Sequence, residues 1–195
     1  MQNSCKNSKN EFLKLSVTLL LIAGIMAFLV ALVNNITAPI ISESNEQKTS
    51  EALLEVLPEA DSFVKVDYLP TSIDDVSVLG VWRASNNVGF CVKVAPKGYG
   101  GAIETIVGFD SNGSVTNTKI VSMSETSGIG TKISGTEFLQ NFVGKSTTVK
   151  GDKKAADKDT VVYISGATKS SKAFIKGINA AITVVSELTG GEQNG

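Results

Sequence analysis

Ser165-Gly166-Ala167-Thr168-Lys169-Ser170-Ser171 follows a β-branched run, Val161-Val162-Tyr163-Ile164, and leads into Phe174, Ile178, Ala181, Ile182, Val185 and Leu188 at three- and four-residue intervals. A short β-branched run reads as a strand, and apolar residues at that spacing line one face of a helix. The stretch is therefore a strand, a tight turn of small residues and a helix start. Four hydroxyls sit there, on Ser165, Thr168, Ser170 and Ser171. Two readings stand on physics alone. Ser and Thr cap helices routinely, and this is the commoner use. The other is an anion site, because free N–H groups and the positive end of the helix dipole meet at a helix start. Gly166 and Ala167 would let a phosphate approach, and Lys169 and Lys172 add positive charge.

Composition narrows the chemistry. The chain has 195 residues, 42% of them hydrophobic, and a net charge of −1. That supports one domain with a real core and offers no basic surface for nucleic acid. There is no His, which removes imidazole acid–base work, His triads and His metal sites. The two cysteines, Cys5 and Cys91, form no CxxC pair, so iron–sulfur clusters and Cys-rich zinc sites are not expected. Any redox chemistry must come from an organic cofactor.

Upstream, Leu15 to Val33 carries no charged residue. At 1.5 Å per residue such a helix spans about 29 Å, close to the hydrocarbon core of a bilayer. It is too long for a usual signal h-region, and Pro39 follows the best cleavage position, Ala38, so an uncleaved anchor is expected. Lys6, Lys9 and Lys14 precede the span and the first Lys after it is Lys48, which puts the N-terminus in the cytoplasm and residues 37–195 outside. Cys5 and Cys91 would then lie on opposite sides and form no disulfide.

The expected segments are a cytoplasmic start (1–14), a transmembrane helix (15–36), a stalk and helical lead-in (37–75), an α+β domain (76–190) and a polar tail (191–195). Within the lead-in, residues 41–57 read as a polar helix with Ala52, Leu53, Val56 and Leu57 as its apolar edge, stopped by Pro58. Residues 61–75 are mixed, with Pro70 and a solvated turn at Asp74-Asp75. Val76–Ala84 and Val88–Val94 form a hairpin across Asn86-Asn87, and Ile103–Phe109 and Val115–Met123 form another across Asp110–Gly113. Trp82 and Phe90 read as core or cross-strand residues. A short helix is expected over 136–143 and a charged surface loop over 150–160.

Three motifs in order resemble the FMN-binding domain family: Gly98-Tyr99-Gly100-Gly101, then Glu125-Thr126-Ser127-Gly128-Ile129-Gly130, then Ser165-Gly166-Ala167-Thr168-Lys169-Ser170-Ser171. With the single anchor, the whole chain is similar to the G subunit of the Rnf electron-transport complex. It also resembles the C subunit of the sodium-pumping NADH:quinone reductase, though the short length favours the Rnf family. In the FMN-binding domain family the last Thr of Ser-Gly-Ala-Thr is esterified to the phosphate of FMN, and here that position is Thr168. The resemblance implies that Ser165, Gly166, Ala167, Ser170 and Ser171 surround the attachment point. It implies that Glu125, Thr126, Gly128, Ile129 and Gly130 line the flavin site, with Tyr99, Gly100, Gly101 and Lys132 at its border. No catalytic residue and no metal ligand is implied.

Departures from the family pattern are Ser127 for Pro, Ile129 for Leu, Met123 for a His, Val162 for an Asp and Ser170 for Thr. The resemblance further implies a membrane complex that passes electrons from reduced ferredoxin to NAD⁺ and translocates Na⁺ or H⁺. It also implies a flavin transferase that loads the cofactor from FAD with Mg²⁺. Two alternatives stand beside it: an FMN-binding subunit of another membrane redox system, such as a quinone reductase or an extracellular reductase, and an anchored binding domain without flavin.

Overall fold

The structure, a computed structural model, describes residues 2–68, 72–154 and 157–192. Pro70, part of the expected 150–160 loop and the last three residues of the tail lie outside the described residues, as does the side chain of Cys5. The chain divides into two compact units, one up to Glu46 and one from Gln47 onward.

Helix α1 spans Gln2–Val56. In the first unit its segment Leu13–Ala38 is long and apolar enough to cross a membrane, with a mean hydropathy of 2.7. The segment has no buried face: Leu20 is 73% and Phe28 67% exposed. A helix apolar all round suits lipid rather than a protein core. The expected membrane span (15–36) and the expected lead-in helix (41–57) fall on one continuous helix, which passes Pro39; the proline removes one backbone donor from the ladder without ending it. It does end just before Pro58, as expected, with Leu57 N–H donating to Leu53 O at 3.1 Å.

The second unit is built on an antiparallel sheet. Strands β1 (Phe63–Val66), β3 (Val76–Ala84), β4 (Gly89–Ala95), β5 (Ile103–Asp110) and β6 (Val115–Met123) neighbour one another in the order β1-β3-β4-β5-β6. The short β2 (Ser72–Ile73) pairs with β3 across Asp74-Asp75, where both residues take positive φ (48° and 63°). Two successive left-handed residues make the tight turn that matches strand twist, so the acidic pair is a turn and not a carboxylate dyad. Asn87 (φ 57°) and Gly113 (φ 77°) do the same work at the other two expected hairpins. β1 is an addition: its Phe-Val-Lys-Val run pairs with the far edge of β3.

Helices cover both faces of this sheet. On one side, α3 (Thr168–Glu192) lays Phe174, Ile178, Ala181 and Val185 against Phe90, Val92 and Val94 of β4 and Val107 and Phe109 of β5. On the other, the last turns of α1 bury Ala52, Leu53 and Val56 against Ala84, Cys91 and Ile106. Alternate residues of β4 therefore go to opposite helices, and six of its seven residues are buried. Trp82 and Phe90 consequently belong to opposite clusters, which excludes them as a stacking pair. Burial alone pushes the Cys91 thiol up to about 12. Lys93 is also nearly buried, and is held by Glu104 at 2.9 Å and by the Thr49 hydroxyl at 3.2 Å.

The last carbonyls of α1 need partners. Thr116 Oγ1 donates to Val56 O at 2.6 Å and Asn117 Nδ2 to Glu55 O at 3.4 Å, which fastens the helix end to β6. Gly108 is required beneath it, since a Cβ there would meet Val56 O at 2.5 Å.

After β6 come a 3-10 turn (Gly130–Ser134) and α2 (Thr136–Gln140), shorter than the expected 136–143. Phe138 and Phe174 each pack edge-to-face with Phe142, and Phe138 meets Phe174 tilted at 59°. The charged loop also holds a strand, β7 (Lys150–Asp152), which pairs in parallel with β8 (Thr160–Val162). Asn179 of α3 docks this pair by accepting from Val149 N–H at 2.8 Å and donating to Val149 O at 2.9 Å. β8 thereby meets α3 at the Ser-Gly-Ala-Thr turn.

Candidate functional site

The turn between β8 and α3 is closed by two backbone bonds. Ala167 N–H donates to Ile164 O at 3.0 Å and Ser171 N–H to Ala167 O at 2.8 Å. Gly166 sits in the left-handed region (φ 83°), where an L side chain is strained. The Ser171 hydroxyl is fully buried; it donates to Ala167 O at 3.0 Å and accepts from Ile164 N–H at 3.1 Å. This residue ties strand, turn and helix together and does not face the groove. The residue before the helix is Ala167, which has no side-chain oxygen, so no hydroxyl takes the capping position. The N–H groups of Thr168, Lys169 and Ser170 meet no acceptor among the described residues, and neither does the Thr168 hydroxyl. An uncapped helix start with three free donors is the feature an anion requires.

Around this start lies a groove of about 360 Å³. Gly166, Ala167, Thr168, Lys169 and Ser170 form one wall. The segment after β6 supplies Glu125, Thr126, Ile129 and Gly130, and the loop after β4 supplies Tyr99. Tyr99 and Ile129 are 68% and 50% exposed, an apolar rim beside a polar end. Lys169, not among the expected contacts, places its ammonium over the Tyr99 ring at 5.0 Å. Ser165 is exposed beside the groove without lining it, and Gly128, Gly100, Gly101 and Lys132 also stand outside its wall. Lys132 lines a different hollow with Val162 and Tyr163.

Glu125 holds the three segments together. Its Oε1 accepts from Tyr99 N–H at 2.7 Å and Gly100 N–H at 3.3 Å, and its Oε2 accepts from Ser170 Oγ at 2.9 Å. The glycines around it serve this junction. A Cβ on Gly130 would meet Glu125 Oε2 at 2.5 Å, and one on Gly100 would collide with the Ser124 carbonyl oxygen. Gly100 and Gly101, expected at the border of the flavin site, let two loops touch here. Gly128 differs, having φ 74° and open space where a side chain would go. Its N–H donates to Thr131 Oγ1 at 2.9 Å, while Thr126 O accepts from the N–H groups of Ile129 and Gly130 at 3.2 and 2.9 Å. The Glu-Thr-Ser-Gly-Ile-Gly loop is thus folded on itself. Among the described residues no cluster of His, Cys, Asp or Glu could hold a metal ion.

An α+β unit with helices on both faces of its sheet, an anion-ready helix start and an apolar rim defines a class, and comparison with known families agrees with it. Residues 98–183, which include all three loops, match the FMN-binding domain. Residues 1–56 match the RnfG N-terminal region. The chain is 33% identical to the G subunit of the Na⁺-translocating ferredoxin:NAD⁺ oxidoreductase complex of Acetobacterium woodii, over 90% of this chain and 92% of the relative. It is 30% identical to the G subunit of the ion-translocating oxidoreductase complex of Methanosarcina acetivorans, over 94% of this chain and all of the relative. It is 29% identical to the G subunit of the proton-translocating ferredoxin:NAD⁺ oxidoreductase complex of Clostridium ljungdahlii, over 94% and 97%. The chain belongs to the family of G subunits of ion-translocating oxidoreductase complexes.

Proposed function

We infer that this chain is a membrane-anchored electron carrier of a ferredoxin:NAD⁺ oxidoreductase complex, with FMN held covalently by a phosphoester to Thr168. One observation carries the attachment: Thr168 opens an uncapped helix, its hydroxyl is unengaged, and three free N–H groups stand beside it. The residues fit the cofactor. The helix start and Lys169 suit a phosphate, and a groove of about 360 Å³ rimmed by Tyr99 and Ile129 suits a planar ring system. When bound, FMN supplies the electron-transfer chemistry that no side chain here provides.

Loading from FAD would make the Thr168 oxygen the acceptor of the flavin-side phosphate, with AMP as the leaving group. With no His in the chain, the proton from Thr168 passes to the flavin transferase. Lys169 and the three N–H groups would hold the ester's remaining negative charge. Glu125, Thr126 and Gly130 shape the ring end, and Gly166 and Ser171 keep the turn in place. The partners under this reading are the membrane subunits of the complex, the transferase and lipid. The relatives' names differ in the ion moved. The ion path belongs to partner subunits, because Leu15–Val33 contains no ionisable residue.

Protein made in cells that carry the transferase should gain the mass of one FMN less one water, on the peptide that contains Thr168. An unmodified chain from such cells would overturn the reading. The orientation has its own expected result. Protease added to intact spheroplasts should remove the part from residue 37 onward, following the lysine asymmetry across the span. Full protection of that part would reverse the topology.

A further inference from the structure

Lys169, Lys172 and Lys176 follow one another at three and four residues on α3, so they form a stripe along one helix face. Lys97, from the loop after β4, joins the stripe across a hollow of about 470 Å³. The floor of the hollow is Tyr163, Ala173 and Ile175, and among the described residues no carboxylate lines it. All four lysines are at least partly exposed. Elsewhere in the unit Lys93, Lys119 and Lys145 each meet a carboxylate. None of the four does so among the described residues. Lys172 lies 5.4 Å over the Tyr163 ring, and Lys176 reaches only the Asp74 backbone carbonyl, at 3.5 Å. A chain of net charge −1 thus carries a cluster of unneutralised cations. The cluster is continuous with the groove, since Lys169 lines both.

We propose that the face made by Lys97, Lys172 and Lys176, continued by Lys169 at the lip of the groove, docks an acidic protein that exchanges electrons with the cofactor. The role of the face in electron exchange rests on the reading of the groove given above. Short-lived redox encounters use small interfaces, with an apolar centre inside a charged rim and with charge steering the approach. Lysines around an apolar hollow beside the groove have that form. A flat anionic bilayer would meet the lysine tips but leave the concave floor uncovered, whereas a protruding acidic surface covers both.

The test uses the full chain in nanodiscs of zwitterionic lipid, with an acidic flavodoxin as probe and a basic c-type cytochrome as its opposite. The variant is K97Q/K172Q/K176Q, which leaves every groove residue in place. Flavodoxin affinity at low salt should fall about tenfold in the variant, and its salt dependence should flatten. Cytochrome affinity should hold or rise, and flavin content should not change. The transfer of one electron from reduced flavodoxin, which oxidises it and reduces the bound FMN, should slow in parallel. Equal flavodoxin binding by both chains would overturn the proposal. So would a loss seen only with phosphatidylglycerol vesicles, which would make the face a lipid contact. A chain without flavin defeats the groove reading instead, and the binding comparison still decides whether the face receives acidic protein.

Discussion

Thr168→Ala is expected to give a folded chain that carries no covalent flavin. The Thr168 hydroxyl makes no hydrogen bond within the described residues, so its removal breaks no protein contact. The capping position belongs to Ala167, so the cost of about 1 kcal/mol for losing a cap does not apply. Ala is also the better helix former, by a few tenths of a kcal/mol. The melting temperature of the unloaded variant should therefore match that of unloaded wild type, while in-gel flavin fluorescence disappears. Thr168→Ser keeps the nucleophilic oxygen but frees χ1, and should load partially. Ser171→Ala separates chemistry from structure in the opposite sense. It removes two buried hydrogen bonds that hold the turn, each worth about 1 kcal/mol, and should lower stability while leaving an attachment point. Flavin retained on Thr168→Ala through denaturation would remove Thr168 from the site.

Glu125→Ala should be the most damaging change that leaves the acceptor intact. It deletes the acceptor for two backbone donors on the Tyr99 loop and for the Ser170 hydroxyl on α3. Hydrogen bonds to a charged group contribute about 1.5–3 kcal/mol each. Glu125 is half-buried, so the expected total is nearer ~2–3 kcal/mol for the residue. The larger effect is on the groove, whose Tyr99 wall would no longer be tied to the helix carrying Thr168. Thermal unfolding should shift down, and flavin loading should fall at least tenfold under limiting transferase. Glu125→Gln tests the cause, because an amide can accept from Tyr99 and Gly100 and donate to the Ser170 oxygen. It should restore most of the stability and loading. A Gln variant as damaged as Ala would show that the charge itself is needed.

The four long strands were legible because alternation and turn chemistry agree: Asn86-Asn87 and Asp110–Gly113 sit where the chain reverses. The edge strands were not. β7 reads Lys-Gly-Asp, with no apolar face, and exists because β8 and Asn179 supply its partners from distant sequence. The same limit governs the site. The turn at 165–171 is local, so a strand, a turn and a helix start could be read directly. Whether a hydroxyl caps the helix depended on which residue preceded the first helical turn, and that is a matter of one position. Glu125 could be assigned to the site by resemblance, but its task could not. Its partners lie 25, 26 and 45 residues away. For the same reason the packing of Gly100 and Gly101 against Ser124 could not be read from the sequence.

The burial of β4 on both faces constrains how a water-soluble fragment can be cut. A fragment starting at Pro58 would discard Ala52, Leu53, Val56 and Leu57 and open Cys91 and Ile106 to water. Burying such side chains contributes about 1.5–3 kcal/mol apiece, so the loss approaches the whole stability of a typical domain, about 5–15 kcal/mol. The shortest useful fragment starts no later than Gln47, where the second compact unit begins. Fragments trimmed further would precipitate for want of a lid on the sheet, whether or not their flavin chemistry is intact.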